Sequence, residues 1–469
     1  MLMKYSKHPY PYPLSQIFGL FLFSILMLQS AVSQAQQEPE ILAGPMLGYI
    51  EMQEANIWVQ TTEPAVIQVR YEVAMGSEAG KTMLSEKARA NEYNSNTGQI
   101  KIRDLEPGTT YKYEVLLDGK AVSRNYPTTF TTQELWQWRT DPPAFSAAFG
   151  SCLYTNDPKY DRPGEGYGGP STILREINAL NPDLMLWLGD NYYYREPDFY
   201  SMARLDYRIR DSRSLDDMQP LLANAVNLAI WDDHDYGPNN SDRTYRLREE
   251  ALELFKRYWI NPQYGTAQTD GVFFRYKYAD VEFFMMDDRY HRAPNRLDDP
   301  EKPFFGDEQL QWLKESLVNS RATFKIVAVG NQVTNVNGGH ECFCNFESEY
   351  NELMSFLSDE GIEGVVFLSG DRHFTELLKN EREGAYPLYE FTSSPLSSGT
   401  YSSIDESPEF DNPNRVDGTI IYKERNFGML RVSGKRDDRT LEFKAYTATG
   451  ELKWTHEIHE KELKMPNSE

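Results

Sequence analysis

The chain is 469 residues long with 40% hydrophobic and 13% aromatic residues, enough for more than one folded domain and too apolar to be disordered in bulk. Its 48 Lys and Arg stand against 71 Asp and Glu, and the net charge of -23 argues against stable nucleic-acid binding. Three cysteines are too few to build a disulfide scaffold of this length.

The first 35 residues read as an address. Lys4 and Lys7 precede an apolar run over residues 17–28, and Ser33-Gln34-Ala35 offers small residues where a signal peptidase cleaves. The run falls short of the about 20 apolar residues that span a bilayer. Residues 1–35 are therefore expected to be a signal peptide. The mature chain is expected to be exported, periplasmic or extracellular, with no transmembrane segment.

Residues 41–133 alternate apolar and polar side chains in short runs, as in Ile57-Trp58-Val59-Gln60 and Tyr111-Lys112-Tyr113-Glu114-Val115. Turn-rich pieces such as Glu106-Pro107-Gly108 and Asp118-Gly119 separate them. The pattern predicts a small antiparallel β-sandwich, immunoglobulin- or fibronectin-like in size. It holds no cluster of chemically capable residues.

After Asp141-Pro142-Pro143 the texture changes. Apolar runs at 184–188, 225–231, 324–330 and 364–369 alternate with helically spaced stretches at 171–180, 241–258, 307–317 and 347–359. That alternation predicts an α/β domain with a largely parallel sheet and helices outside it. Alternating strands are expected again near 419–422, 428–432 and 440–446.

Four of the expected strands run into chemistry. Phe149 leads into Gly150-Ser151-Cys152, and Leu188 into Gly189-Asp190-Asn191-Tyr192-Tyr193. Trp231 leads into Asp232-Asp233-His234-Asp235, and Leu368 into Ser369-Gly370-Asp371-Arg372-His373. Ligands of open α/β sheets bind at the carboxyl ends of strands. Taken singly, each motif has an ordinary explanation: a turn, a helix cap, or a cysteine acting as a small hydrophobe. Taken together, they bring a thiol, a phenol, two imidazoles and several carboxylates to one edge. Carboxylates so placed repel unless a cation sits among them, so the pattern points to a metal site.

The ordered set GSC, GDNYYY, WDDHDYGPN and SGDRHF resembles the alkaline phosphatase D (PhoD-like) branch of the metallophosphoesterases, over about residues 140–455. Residues 41–133 resemble the fibronectin-like N-terminal domain of the same family. The resemblance implies a four-layer αββα catalytic sandwich and an alkaline phosphatase-like hydrolase that opens phosphate mono- or diesters with metal-activated water or hydroxide. It also implies ligand roles. Cys152, Tyr193 and His373 would hold Fe(III), Asp190 would bridge, and Asp233 and Asp371 would complete a Ca(II) site.

Relative to the wider superfamily, Cys152 stands in the first block, Asp233 replaces an Asn and Asp371 replaces a His. This sulfur- and oxygen-rich set suits iron and calcium better than a pair of Zn(II), although Zn(II) or another divalent metal stays an alternative. His234 resembles the superfamily histidine that stabilises the transition state or protonates the leaving oxygen. Arg289 and Arg372 are candidates for clamping phosphate or, equally, for pairing with neighbouring carboxylates.

The segment His340-Glu341-Cys342-Phe343-Cys344 lacks the second ligand pair of a zinc site, and two residues is a strained spacing for a bridge, so its role stays open. Two other functions remain in view. One is a phospholipase D-type phosphodiesterase, the other a non-catalytic surface binding protein led by its sandwich.

Overall fold

Side-chain alternation builds the first layers. In the computed structural model, which describes residues 38–76, 79–335, 337 and 341–466, nine short strands fill the N-terminal region. They are β1 (Ile41–Ile50), β2 (Ala55–Thr61), β3 (Ala65–Val73), β4 (Thr82–Leu84), β5 (Ala88–Ala90), β6 (Thr97–Ile102), β7 (Thr110–Leu117), β8 (Lys120–Val122) and β9 (Thr129–Thr131). Along β3, Ala65, Ile67, Val69 and Tyr71 are buried while the residues between them are only partly covered, the period-two signature. One sheet has the order β1-β2-β6; the other has β4-β3-β7-β8, with β5 on β3 and β9 on β7. All their pairings are antiparallel. The signal-peptide reading of residues 1–35, and His340, lie outside the described residues.

The remaining strands are β10 (Phe145–Gly150), β11 (Leu184–Leu188), β12 (Val226–Ile230), β13 (Phe274–Tyr278), β14 (Val281–Met285), β15 (Phe324–Ala328), β16 (Val365–Ser369), β17 (Glu376–Arg382), β18 (Ala385–Thr392), β19 (Asn426–Lys435), β20 (Asp438–Thr447) and β21 (Leu452–His459). They form two six-stranded mixed sheets, β12-β11-β10-β19-β20-β21 and β13-β14-β15-β16-β18-β17. Strands β11, β12, β14, β15 and β16 are buried at every position, as strands covered on both faces are, and they read as largely apolar runs interrupted at Asn227, Glu282 and Lys325. The two sheets face each other across an aromatic core. Phe149 of β10 meets Phe391 of β18 edge-on at 4.8 Å, and Phe391 meets Phe443 of β20 at 5.2 Å. With helices outside both sheets, this is the αββα arrangement.

The N-terminal sheets pack on the β12 side of this core. Asn227 Nδ2 donates to the Leu47 carbonyl at 3.1 Å, and Trp58 Nε1 to that of Arg257 at 2.9 Å. Among the described residues, no helix is long and apolar enough to cross a membrane.

Three details differ from expectation. Residues 419–422 make only an isolated bridge from Ile421 to Thr375, not a strand. The helix expected from residue 241 begins at Arg248, because Asp242 turns the chain by accepting from the Thr244 N–H at 2.9 Å. The helix Met202–Arg213 was hidden because it buries charge. Arg208 is 2% exposed against Asp198 and Asp157, and Arg213 is 3% exposed with its guanidinium 3.5 Å from the Trp259 ring centre.

Candidate active site

Left-handed backbone marks the strand ends. Cys152 (φ 61°), Asp190 (φ 53°), Asp371 (φ 63°) and His373 (φ 57°) all follow β10, β11 or β16. L-residues adopt this region only where the surroundings hold them there, and such residues gather at functional sites. Gly189 (φ 93°) makes the turn that delivers Asp190, and a Cβ there would lie 2.6 Å from Asp232 Cβ. Gly189→Ala is expected to cost about 1–3 kcal/mol and to lower hydrolytic activity with it. A thermal melt together with a rate assay checks this; an unchanged Tm would contradict it.

These turns bring the sequence motifs together. Cys152, Asp190 and His373 each offer a ligand atom within 4.8 Å of the others, and so do Asp190, Asp233 and His234. Asp190 belongs to both groups and joins them. Tyr193 OH donates to Asp190 Oδ2 at 2.7 Å and lies 3.5 Å from His373 Nε2, so the phenol sits inside the first group. The His234 backbone N–H donates to Asp190 Oδ1 at 3.2 Å, and the His234 ring lies 4.1 Å from that of Tyr193. Asp233 Oδ2 accepts from the Asn240 N–H at 2.5 Å, whereas its Oδ1 is buried with no hydrogen-bond partner among the described residues. Asp371 stands beside the cluster: its carbonyl is 3.7 Å from Cys152 Sγ and its carboxylate is 4.0 Å from Arg372 Nη1.

Buried anions press on one another here. Burial first, then the charges of Cys152, Asp233, Asp235 and Asp371, push the Asp190 carboxyl well above its usual range. Burial and then Asp371 push the Cys152 thiol up to about 11. Burial also raises Asp371 to about 6, with Arg372 opposing it. A cation would reverse each of these shifts by favouring the ionised form. Sulfur, oxygen and nitrogen donors, a joining carboxylate and an unpartnered carboxylate oxygen therefore fit a metal pair.

The imidazole is oriented from behind. A carbonyl can only accept, so His373 Nδ1–H donates to Gly399 O at 2.6 Å and leaves the Nε2 lone pair facing the cluster. Ser394 Oγ, 3.1 Å from Cys152 Sγ, also accepts from the His373 backbone N–H at 2.9 Å. The serine-rich stretch that follows β18 thus supports both ends of the site. Sequence reading left it without a role, and its only signal was its place after a buried strand.

The two arginines are placed differently. Arg289 is fully buried, with Nε 2.5 Å from Asp232 Oδ1 and Nη2 2.6 Å from Glu341 Oε2. Burial opposes its charge, yet the Asp232 and Glu341 carboxylates hold the guanidinium well above its ordinary pKa. Arg372 pairs with Glu409, and its Nε has no hydrogen-bond partner among the described residues. Asn331, shortly after β15, accepts from Arg292 at 2.7 Å and donates to Asp232 Oδ2 at 3.1 Å. Cys342 and Cys344 are joined as a disulfide with Cα atoms 5.2 Å apart, directly after Glu341.

The sequence profile of the PhoD-like phosphatase family matches residues 158–443, more than half of the chain. The chain belongs to the PhoD-like phosphatases. Residues 38–135 match a domain of unknown function (DUF7800). Among solved structures, PhoD is similar over 91% of this chain and 93% of its own, with a TM-score of 0.72 at 15% identity. The purple acid phosphatase PPD1 of yellow lupin (Lupinus luteus) is similar over 90% of this chain and 74% of its own, with a TM-score of 0.59 at 12% identity. No curated protein sequence matches. The two structures share the metallophosphoesterase fold with this chain. As a PhoD-like phosphatase it is a metal-dependent phosphoric ester hydrolase with a phosphoester substrate.

Proposed function

We propose that this PhoD-like phosphatase is exported and hydrolyses phosphate mono- and diesters at the cluster around Asp190. The observation that carries the reading is the sharing of Asp190 by two groups of ligand atoms, one with Cys152 and His373 and one with Asp233 and His234. Cys152, Tyr193 and His373 would hold Fe(III), Asp190 would bridge, and Asp233 and Asp371 would hold Ca(II). When bound, the metals supply Lewis-acid polarisation of the phosphoryl oxygen and an acidified water.

The chain's own groups do the rest. His234, whose Nε2 lies 4.0 Å from Asp233 Oδ1, offers a ring N–H to the leaving oxygen. Arg372 keeps donors beyond those its partner Glu409 uses, and these suit a phosphoryl oxygen. Arg289 is assigned a holding role: its guanidinium fixes Asp232 beside Asp233. The Ser394 hydroxyl, donating to the thiol, and the Gly399 carbonyl, accepting from the imidazole, keep the two aimed at one point.

Hydrolysis of 4-nitrophenyl phosphate and its bis-ester tests the reading. Both esters should be turned over, and Cys152→Ser and His373→Ala should lose that activity in folded protein. Full activity in both variants would sink the assignment, and a strong diester preference would favour the phosphodiesterase alternative. Export rests on residues 1–35. The mature protein should begin at Gln36; an intact N-terminus on cell-associated protein would refute cleavage.

A further inference from the structure

One aromatic ring beside the cluster is both exposed and pinned. Tyr167 is 46% exposed, yet its hydroxyl lies 3.0 Å from His373 Nδ1 and its ring centre 6.0 Å from that of the imidazole. Its neighbour Tyr154 packs edge-on against it at 5.0 Å and lies at the same distance from Tyr193. Single exposed aromatics are ordinary on protein surfaces. An exposed ring whose hydroxyl is tied to an imidazole of the site is not.

The segment that carries Tyr167 is built to hold it there. Asn156 Nδ2 donates to the Gly168 carbonyl at 2.7 Å, and its Oδ1 accepts from the Gly168 N–H at 2.8 Å. The Gly169 N–H donates to Ser397 O at 2.6 Å, and Arg425 Nε donates to the Ser397 and Ser398 carbonyls at 2.9 Å.

 That Gly169–Ser397 bond of 2.6 Å joins two backbones, so it survives any change of side chain. Gly399 lets the ring lie close: a Cβ there would come within 2.5 Å of Tyr167 Cε2. The partly exposed ring is therefore held next to His373 by an anchored loop.

We infer that Tyr167 is a specificity-determining residue whose exposed ring stacks on the ester group of the substrate, favouring phosphate esters with a planar, aromatic leaving group over those of small alkyl alcohols. The inference rests on the proposed phosphate site around Asp190. A flat ring fixed by its hydroxyl offers stacking area with little loss of side-chain freedom. An alkyl group has no such face to match.

Calorimetric titration of the purified, metal-containing protein with phenylphosphonate and with methylphosphonate tests this without turnover. In Tyr167→Ala, phenylphosphonate should bind about five- to tenfold more weakly, with methylphosphonate within about twofold of wild type. Tyr167→Phe, which keeps the ring, should stay within about threefold for both ligands. Equal weakening of both ligands in Tyr167→Ala would overturn the inference, since Tyr167 would then act only through His373. Unchanged binding of both would overturn it too. Failure of the wild-type protein to bind either ligand would instead overturn the phosphate site itself.

Discussion

Asp190→Asn should abolish phosphate-ester hydrolysis in a protein that still folds. Asp190 is the one carboxylate common to both groups of ligand atoms, and it also accepts from Tyr193 OH at 2.7 Å and the His234 N–H at 3.2 Å. The amide keeps the shape but loses the charge. Loss of a partner behind a metal ligand typically weakens metal affinity or activity by about 10- to 100-fold. Removal of the joining ligand should exceed that, on the order of a thousandfold in kcat/KM. The fold should survive, because burial and neighbouring anions already hold the Asp190 carboxyl well above its usual range. A neutral amide relieves that repulsion in the metal-free protein. The decisive comparison is kcat/KM beside a thermal melt and bound metal. Activity within tenfold of wild type would remove Asp190 from the centre of the site.

Arg289→Ala should act on stability before it acts on rate. The guanidinium is fully buried and serves Asp232 and Glu341 at once. Its removal leaves Asp232 in the interior without its counter-charge and Glu341 with Arg292 alone, a change that costs about 3–5 kcal/mol. Arg289→Lys should recover only part of this, because an ammonium cannot span both partners as a planar fork does. Denaturant melts of the two variants check the ranking. If instead Arg289→Ala kept the wild-type Tm and raised only KM, the residue would be a phosphate clamp and the holding role would fall.

How far the sequence reached follows from what each segment buries. Strands β11, β12, β15 and β16 were legible because both of their faces are covered and their residues are mostly apolar, whereas β14, which carries Glu282, was not among the expected strands. The motif residues were legible because each follows such a strand, and the sheets do bring Cys152, Asp190, Tyr193, Asp233, His234 and His373 into one cluster. The helix Met202–Arg213 was not legible, since its buried face carries Arg208 and Arg213 with their partners. Nor could the choice between the two roles weighed for Arg289 be made from sequence. Its partner Glu341 lies 52 residues away and meets it only in three dimensions. The same holds for Ser394, Gly399 and Tyr167, whose contacts with Cys152 and His373 cross more than 20 residues. Hydrophobic patterning records burial; it does not record which polar atoms meet.

The most direct test of a metal-dependent hydrolase centred on Asp190 is the metal content of the purified mature protein, read together with its visible absorption. The account predicts iron and calcium, a charge-transfer colour from thiolate or phenolate bound to ferric iron, and loss of that colour in Cys152→Ser or Tyr193→Phe. Colourless protein that holds zinc alone would keep the hydrolase and contradict the ligand roles. Protein that hydrolyses phosphate esters at the full rate after its metals are stripped would contradict the account at its centre.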